Sequence, residues 1–165
     1  MGDFKRILIA VAFAPQAQDL LSYAAGIAAE LGAEELIAAS IINTRDVEAV
    51  STISALGYDV DGDNYVSSIK AERGDLLDSY AKTTAFPPEK IRLVLKVGDP
   101  VEELLKIVVK EQVDLIVMGT KGRTNLEYAL VGSVAEKIFR RSPVPVLSYR
   151  SKEHAERLRK NIRIS

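Results

Sequence analysis

Five short apolar runs, spaced apart by stretches of helical period, constrain this chain more than any other feature. RILIAV at 6–11 and ELIAASII at 35–42 are continuously apolar and bounded by polar or turn residues, the pattern of strands buried on both faces. IRLVLKV at 91–97, DLIVMG at 114–119 and VPVLSYR at 144–150 complete the set. A strand buried on both faces needs a cover on each side, and the intervening segments supply it.

Leu20, Leu21, Ala24, Ala25, Ile27, Ala28 and Leu31 recur at helical spacing, and Gly32 is placed to end that helix. Residues 43–58 show no clear period and are expected to be irregular, a long loop for a ligand to order. Tyr65, Val66, Ile69, Leu76, Leu77, Tyr80 and Ala81 mark a second helix, which must stop before Phe86-Pro87-Pro88. Gly98-Asp99-Pro100 opens a third: Asp99 suits the N-cap, Pro100 the first helical position, and Glu102 sits at N3. Val101, Leu104, Leu105, Val108 and Val109 form its apolar stripe, and a further helix is expected over about 133–141.

Alternation of this kind predicts one doubly wound, Rossmann-like α/β fold: a five-stranded, mostly parallel sheet with helices on both faces. With 165 residues and 47% hydrophobic content the chain suits one domain with an ordinary core, assigned to 1–149, followed by a basic extension at 150–165. Lysine plus arginine total 22 against 23 acids, so no global field favours nucleic acid or an anionic membrane. There is no cysteine, which excludes disulfides, thiolate catalysis and cysteine-ligated metals and agrees with a cytoplasmic setting. The opening MGDFKRILIAVAFAP has an apolar run too short for a signal peptide or membrane span, and Pro15 follows it, so it is read as a core strand.

In an open α/β sheet ligands bind beyond the carboxyl ends of the strands, where strand order reverses. The segment MGTKGRTNLEYALVGSVAEKI at 118–138 leaves such an end. Gly119 and Gly122 allow sharp turns and close backbone approach, while Gly132-Ser133 places amides and a hydroxyl at a helix start, a natural seat for an anion. Ser133 with Glu136 three residues on also reads as a simple capping box. Neither GxxxxGK[ST] nor GxGxxG occurs in the chain, so this is neither a P-loop nor a dinucleotide fingerprint.

The spacing Gly119-x2-Gly122-x9-Gly132-Ser133, preceded by DLIVMG and followed by VAEKIFRRSPVPVL, resembles the ATP-binding signature of the universal stress protein family. The resemblance extends to the KRILIAV strand, the VGDPVEEL turn and helix, and the closing PVPVL strand. It implies an adenine nucleotide, ATP, ADP or AMP, with or without magnesium, lying across the ends of strands one and four. It also implies a homodimer pairing through the last strand, bounded by Val144 and Tyr149. Carried over residue by residue, it implies nucleotide contacts at Ala10, Ala12, Ile41, Met118, Gly119, Gly122, Arg123, Gly132, Ser133 and Val134, with Ile41 beside the adenine. Binding members resemble one another in an acid just after strand one, in a pattern like V-D-x-S. Here the chain reads Val11-Ala12-Phe13-Ala14, and alanine accepts no ribose hydrogen bond. Lys121, Arg123 and Thr124 offer further donors, Lys121 where many relatives have histidine.

Catalytic residues are not expected. The one histidine, His154, lies in the tail, far in sequence from any partner for a triad or metal site. Asp46, Asp59, Asp61 and Asp63 read as solvated loop or helix-start acids rather than holders of a metal for phosphoryl transfer. DVDGDN at 59–64 fails as a calcium loop, because its glycine stands at position four and Lys70 falls where a glutamate is required. The tail, RSKEHAERLRKNIR, carries six bases against two acids, a local +4, and its spacing allows a short basic helix. It reads first as a solvated helix or frayed end, with docking on an acidic partner or nucleic acid as the sharper alternative, and with no aromatic after Tyr149 it is poorly suited to single-strand stacking.

The expected function is therefore a stress-response regulatory module that binds an adenine nucleotide and acts on an unidentified protein partner. The alternatives are a nucleotide-independent dimeric interaction protein that has kept the loop as scaffold, and a slow ATPase.

Overall fold

The β-strands form where the apolar runs stand, and their order follows from the helices that connect them. The computed structural model describes residues 3–12, 16–120 and 132–164. Strands β1 (Arg6–Ala10), β2 (Glu35–Asn43), β3 (Ile91–Gly98), β4 (Leu115–Gly119) and β5 (Val146–Tyr149) make one sheet in the order β3-β2-β1-β4-β5. Every neighbouring pair is parallel, so the sheet is parallel throughout. The winding reverses between β1 and β4, which lie side by side with Ala10 opposite Met118.

Helix α1 (Ala17–Glu30) connects β1 to β2, and α2 (Thr44–Ala55) with α3 (Gly62–Ala81) connects β2 to β3. Helices α4 (Pro100–Lys110) and α5 (Ser133–Arg141) serve the next two crossovers, and α6 (Lys152–Lys160) follows β5. Two apolar layers result. One packs Ile7, Ile9 and Val117 with Leu21 and Ala24 of α1 and Leu77 of α3. The other packs Leu8, Ile37 and Ile116 with Leu104 and Val108 of α4 and Ile138 of α5. Alternation along each central strand feeds both layers, which is why these runs are apolar without interruption.

Local sequence fixes most element ends. Gly32 takes φ +66°, and the N–H groups of Gly32 and Ala33 donate to the carbonyls of Ala29 and Ala28, closing α1 in a Schellman arrangement. Asp99 Oδ1 accepts from the amides of Val101 and Glu102, each at 3.0 Å, and Pro100 fills the first turn of α4. At the amino edge of the sheet Asp114 Oδ2 accepts from the amides of Lys5 and Arg6 at 2.9 and 2.8 Å, tying β1 to β4.

Two expectations are corrected. The stretch 43–58 is not an irregular loop, since α2 occupies most of it, capped by Asn43 Oδ1 accepting from Arg45 N–H at 3.0 Å. Helix α2 buries no residue, so it lacks the strong apolar stripe that periodicity detects. A ligand has no coil to order there. The last strand is also shorter than expected, beginning at Val146. Ser142 Oγ accepts from Val144 N–H and donates to Val144 O, and the two prolines at 143 and 145 have no N–H for a ladder.

Candidate functional site

The carboxyl ends of β1, β2 and β4 meet at the reversal point, and side-chain alternation decides what they present there. Ala10, Ile41 and Val134 are half-buried and pack with buried Met118 on the α4/α5 face. Four candidate residues drawn from β1, β2, β4 and α5 thus share one side of the sheet end. Ala12 lies just beyond β1 and is exposed, so its methyl offers nothing polar at that edge. Val11 N–H still reaches Ala39 O at 2.9 Å, which holds the chain against β2 up to that point.

β4 ends at Gly119, opposite Tyr149 of β5, and an added Cβ there would meet no described atom within 4 Å. Space is open on that side. Gly122 and Arg123, together with Lys121 and Thr124, lie outside the described residues. The chain returns at Gly132, whose N–H donates to Thr120 O at 2.6 Å, so the start of α5 is pinned to the end of β4. Thr120 is 2% exposed, a buried polar residue that sequence reasoning missed and that no pattern in the loop signalled.

The α5 N-terminus corrects the capping-box expectation. Gly132 is the N-cap and, among the described residues, no side chain caps the helix, while Ser133 is already its first residue and is exposed. Glu136 is engaged elsewhere, accepting from Arg140 at 2.9 Å. The first amides of a helix have no intrahelical partner. Those of Ser133, Val134 and Ala135 therefore stand at the positive end of the dipole without a side-chain cap. Glycine is not required at 132 for conformation, since φ −65° and ψ 154° suit any residue.

On the opposite face, Arg73 of α3 is 6% exposed, and its Nη1 donates to Ser40 Oγ at 2.6 Å. Ser40 precedes Ile41 near the end of β2, so this contact fixes the strand next to the candidate adenine position. A signal existed in the sequence. Arg73 falls on the same helical stripe as Ile69 and Leu77, where a charged residue must find a buried partner. Asp46 stands in the first turn of α2 and Asp63 in that of α3, which Asp61 Oδ1 caps by accepting from Asp63 N–H at 3.0 Å, while Asp59 lies exposed in the turn before α3. Among the described residues no group of three or more His, Cys, Asp or Glu is placed to hold a metal, and no helix is long and apolar enough to cross a membrane.

A parallel five-stranded sheet whose winding reverses between β1 and β4, with helices on both faces, defines a doubly wound, Rossmann-like α/β domain. The profile of the Universal stress protein family matches residues 3–150, and the chain belongs to that family. It is 30% identical over 157 residues to Universal stress protein MJ0577 of Methanocaldococcus jannaschii, covering 90% of this chain and 96% of the relative. The solved structure of MJ0577 superposes with a TM-score of 0.73 at 28% identity, over 92% of this chain and 99% of that one. A universal stress protein solved in complex with cAMP shares the fold at a TM-score of 0.61 and 22% identity, over 90% and 98% of the two chains.

Proposed function

We propose that this protein is a regulatory module that binds an adenine nucleotide at the carboxyl end of its sheet, with phosphates at the start of α5. The carrying observation is the N-terminus of α5, where the N-cap residue Gly132 has no side chain to cap the first amides, held against β4 by the bond from Gly132 N–H to Thr120 O at 2.6 Å. The group fits the residues present. Ser133 and Val134 supply amides and a hydroxyl to phosphate, and Gly119 leaves room for close backbone approach. Ala10, Ile41 and Met118 offer an apolar wall to adenine, and Gly122 and Arg123 belong to the same loop. The fold relative solved with cAMP holds an adenine nucleotide, which is the ligand class this reading assigns here.

Ala12 shapes the affinity. Without a carboxylate beside β1 the ribose loses one charge-assisted hydrogen bond, so the site is weaker than one bearing that acid. The domain at 1–149 is read as a homodimer formed along β5, leaving the 150–165 extension free for another contact; ATP hydrolysis is not assigned to it.

The test is to purify the protein without added nucleotide, denature it and identify released small molecules by mass spectrometry, then titrate ATP with magnesium by calorimetry. Stoichiometric adenine nucleotide or micromolar binding is expected. An empty site with no heat at millimolar ATP overturns the proposal and leaves the nucleotide-independent interaction module, which exposed Ala12 favours.

A further inference from the structure

Residues 51–61, spanning the end of α2 and the turn into α3, are exposed without exception. Leu56 and Tyr58 are 73% and 68% exposed, and Ile53 and Val60, close to them in the same short stretch of chain, are 44% and 41% exposed. Apolar side chains this close together on a surface, rimmed by charge, mark a contact site. The rim is acidic: residues 43–64 carry five carboxylates, among them Glu48 and Asp59, against Arg45 alone, a net −4. The C-terminal segment is its complement. Residues 150–163 hold six bases and two acids, a net +4, and beyond α6 the side chains of Ile162 and Ile164 are 67% and 95% exposed.

We infer that the α2–α3 connection of one copy docks the C-terminal segment of a second copy of this chain, with Ile162 seated among Leu56 and Tyr58 and the Arg159-Lys160 pair facing Glu48 and Asp59. Charge decides the occupant. A nucleic acid would engage the cations and leave both isoleucines in water, whereas a second copy satisfies the apolar and the charged parts of both segments. With an overall charge of −1, two copies meet without general repulsion, so the local fields set the approach. A chain's own tail is less well placed, because α6 follows β5 and α2 follows β2. Those strands stand three positions apart in the sheet, roughly 14 Å. The contact lies apart from the β5 edge and from the α5 start, so it stands or falls independently of the nucleotide reading.

The absence of cysteine gives a direct test. Full-length Leu56→Cys and Ile162→Cys chains, one carrying a mass tag, are mixed and oxidised. The expected result is a mixed disulfide joining one copy of each, which disappears when oxidation is done in about 1 M salt, where screening acts within about 3 Å. Glu48→Lys with Asp59→Lys in the first chain should cut its yield at least about tenfold, and Arg159→Glu with Lys160→Glu in the second should restore it. Circular dichroism confirms that each variant is folded. The inference is overturned if no mixed disulfide forms, if a doubly substituted chain closes only on itself, if reversing the charges has no effect, or if the tail binds duplex DNA while the mixed disulfide is absent.

Discussion

The amide of Gly132 donates to the carbonyl of Thr120 at 2.6 Å, so the segment leaving β4 and the helix that follows it begin from one point. That bond ties the start of α5 to the sheet end, and its N-cap residue offers no side chain to the first amides. Gly132→Val retains the amide and suits the local backbone angles, but valine is a poorer N-cap than glycine, so the fold should persist with a loss of about 1 kcal/mol or less. The branched side chain should nonetheless obstruct the amides, and calorimetry should show at least about a tenfold loss of ATP affinity, about 1.4 kcal/mol. Unchanged affinity would remove the phosphates from this helix start.

Ala12 lies exposed past the end of β1, and Val11 is still bonded to β2 just before it. Ala12→Asp should restore one charge-assisted acceptor for the ribose and tighten binding by about ten- to a hundredfold. A comparison of ATP with 2′-deoxy- and 3′-deoxy-ATP checks the assignment, since the gain should shrink when the paired hydroxyl is missing.

Arg73 and Ser40 form a buried polar contact between α3 and β2. Arg73→Met removes the donor and leaves the Ser40 hydroxyl in an apolar layer, lowering stability by about 1–3 kcal/mol in urea unfolding. Ser40→Ala should also destabilise, by leaving a buried guanidinium short of an acceptor, and the double variant should lose less than the two single losses added together.

Asp99 accepts two amides at the start of α4. Asp99→Ala should cost about 1 kcal/mol of stability, and Asp99→Asn distinctly less, because the amide oxygen still accepts both bonds.

Tyr149 on β5 meets Tyr23 of α1 with ring centroids 4.9 Å apart. Burial, then the Asp19 carboxylate and Tyr23, push its phenol above the usual value of 10.0. A raised folded value means that the neutral form is favoured by folding. Its contribution is therefore complete below pH 10 and fades as pH rises through the raised value. Absorbance at 295 nm should show one late-titrating tyrosine, absent in Tyr149→Phe, and that variant should lose less stability than the parent on going to higher pH.

The strands, α1, α4 and α5 were legible because their residues carry a period or a cap that acts within a few positions: an apolar run, the Gly32 stop, the Asp99-Pro100 start. Helix α2 was not, because it buries nothing and its only local mark is the Asn43 cap. The spaced glycines pointed to a candidate site, yet the same stretch suggested a cap by Ser133. Which residue caps depends on where the backbone enters the helix, and that is set by the bond to Thr120. Arg73 stood visibly on a buried stripe, but its partner lies 33 residues away on another element.

By itself the sequence determined the α/β class, the two-sided burial of the central strands β1, β2 and β4, and the family, because periodicity, caps and motif spacing are local and survive without knowledge of contacts. Only the tertiary structure decided that β1 lies beside β4, that Ala10, Ile41, Met118 and Val134 share one face, and that the start of α5 faces the reversal point. Strand order is settled by which helices can cover which faces at once, a condition on the whole chain that no short segment carries.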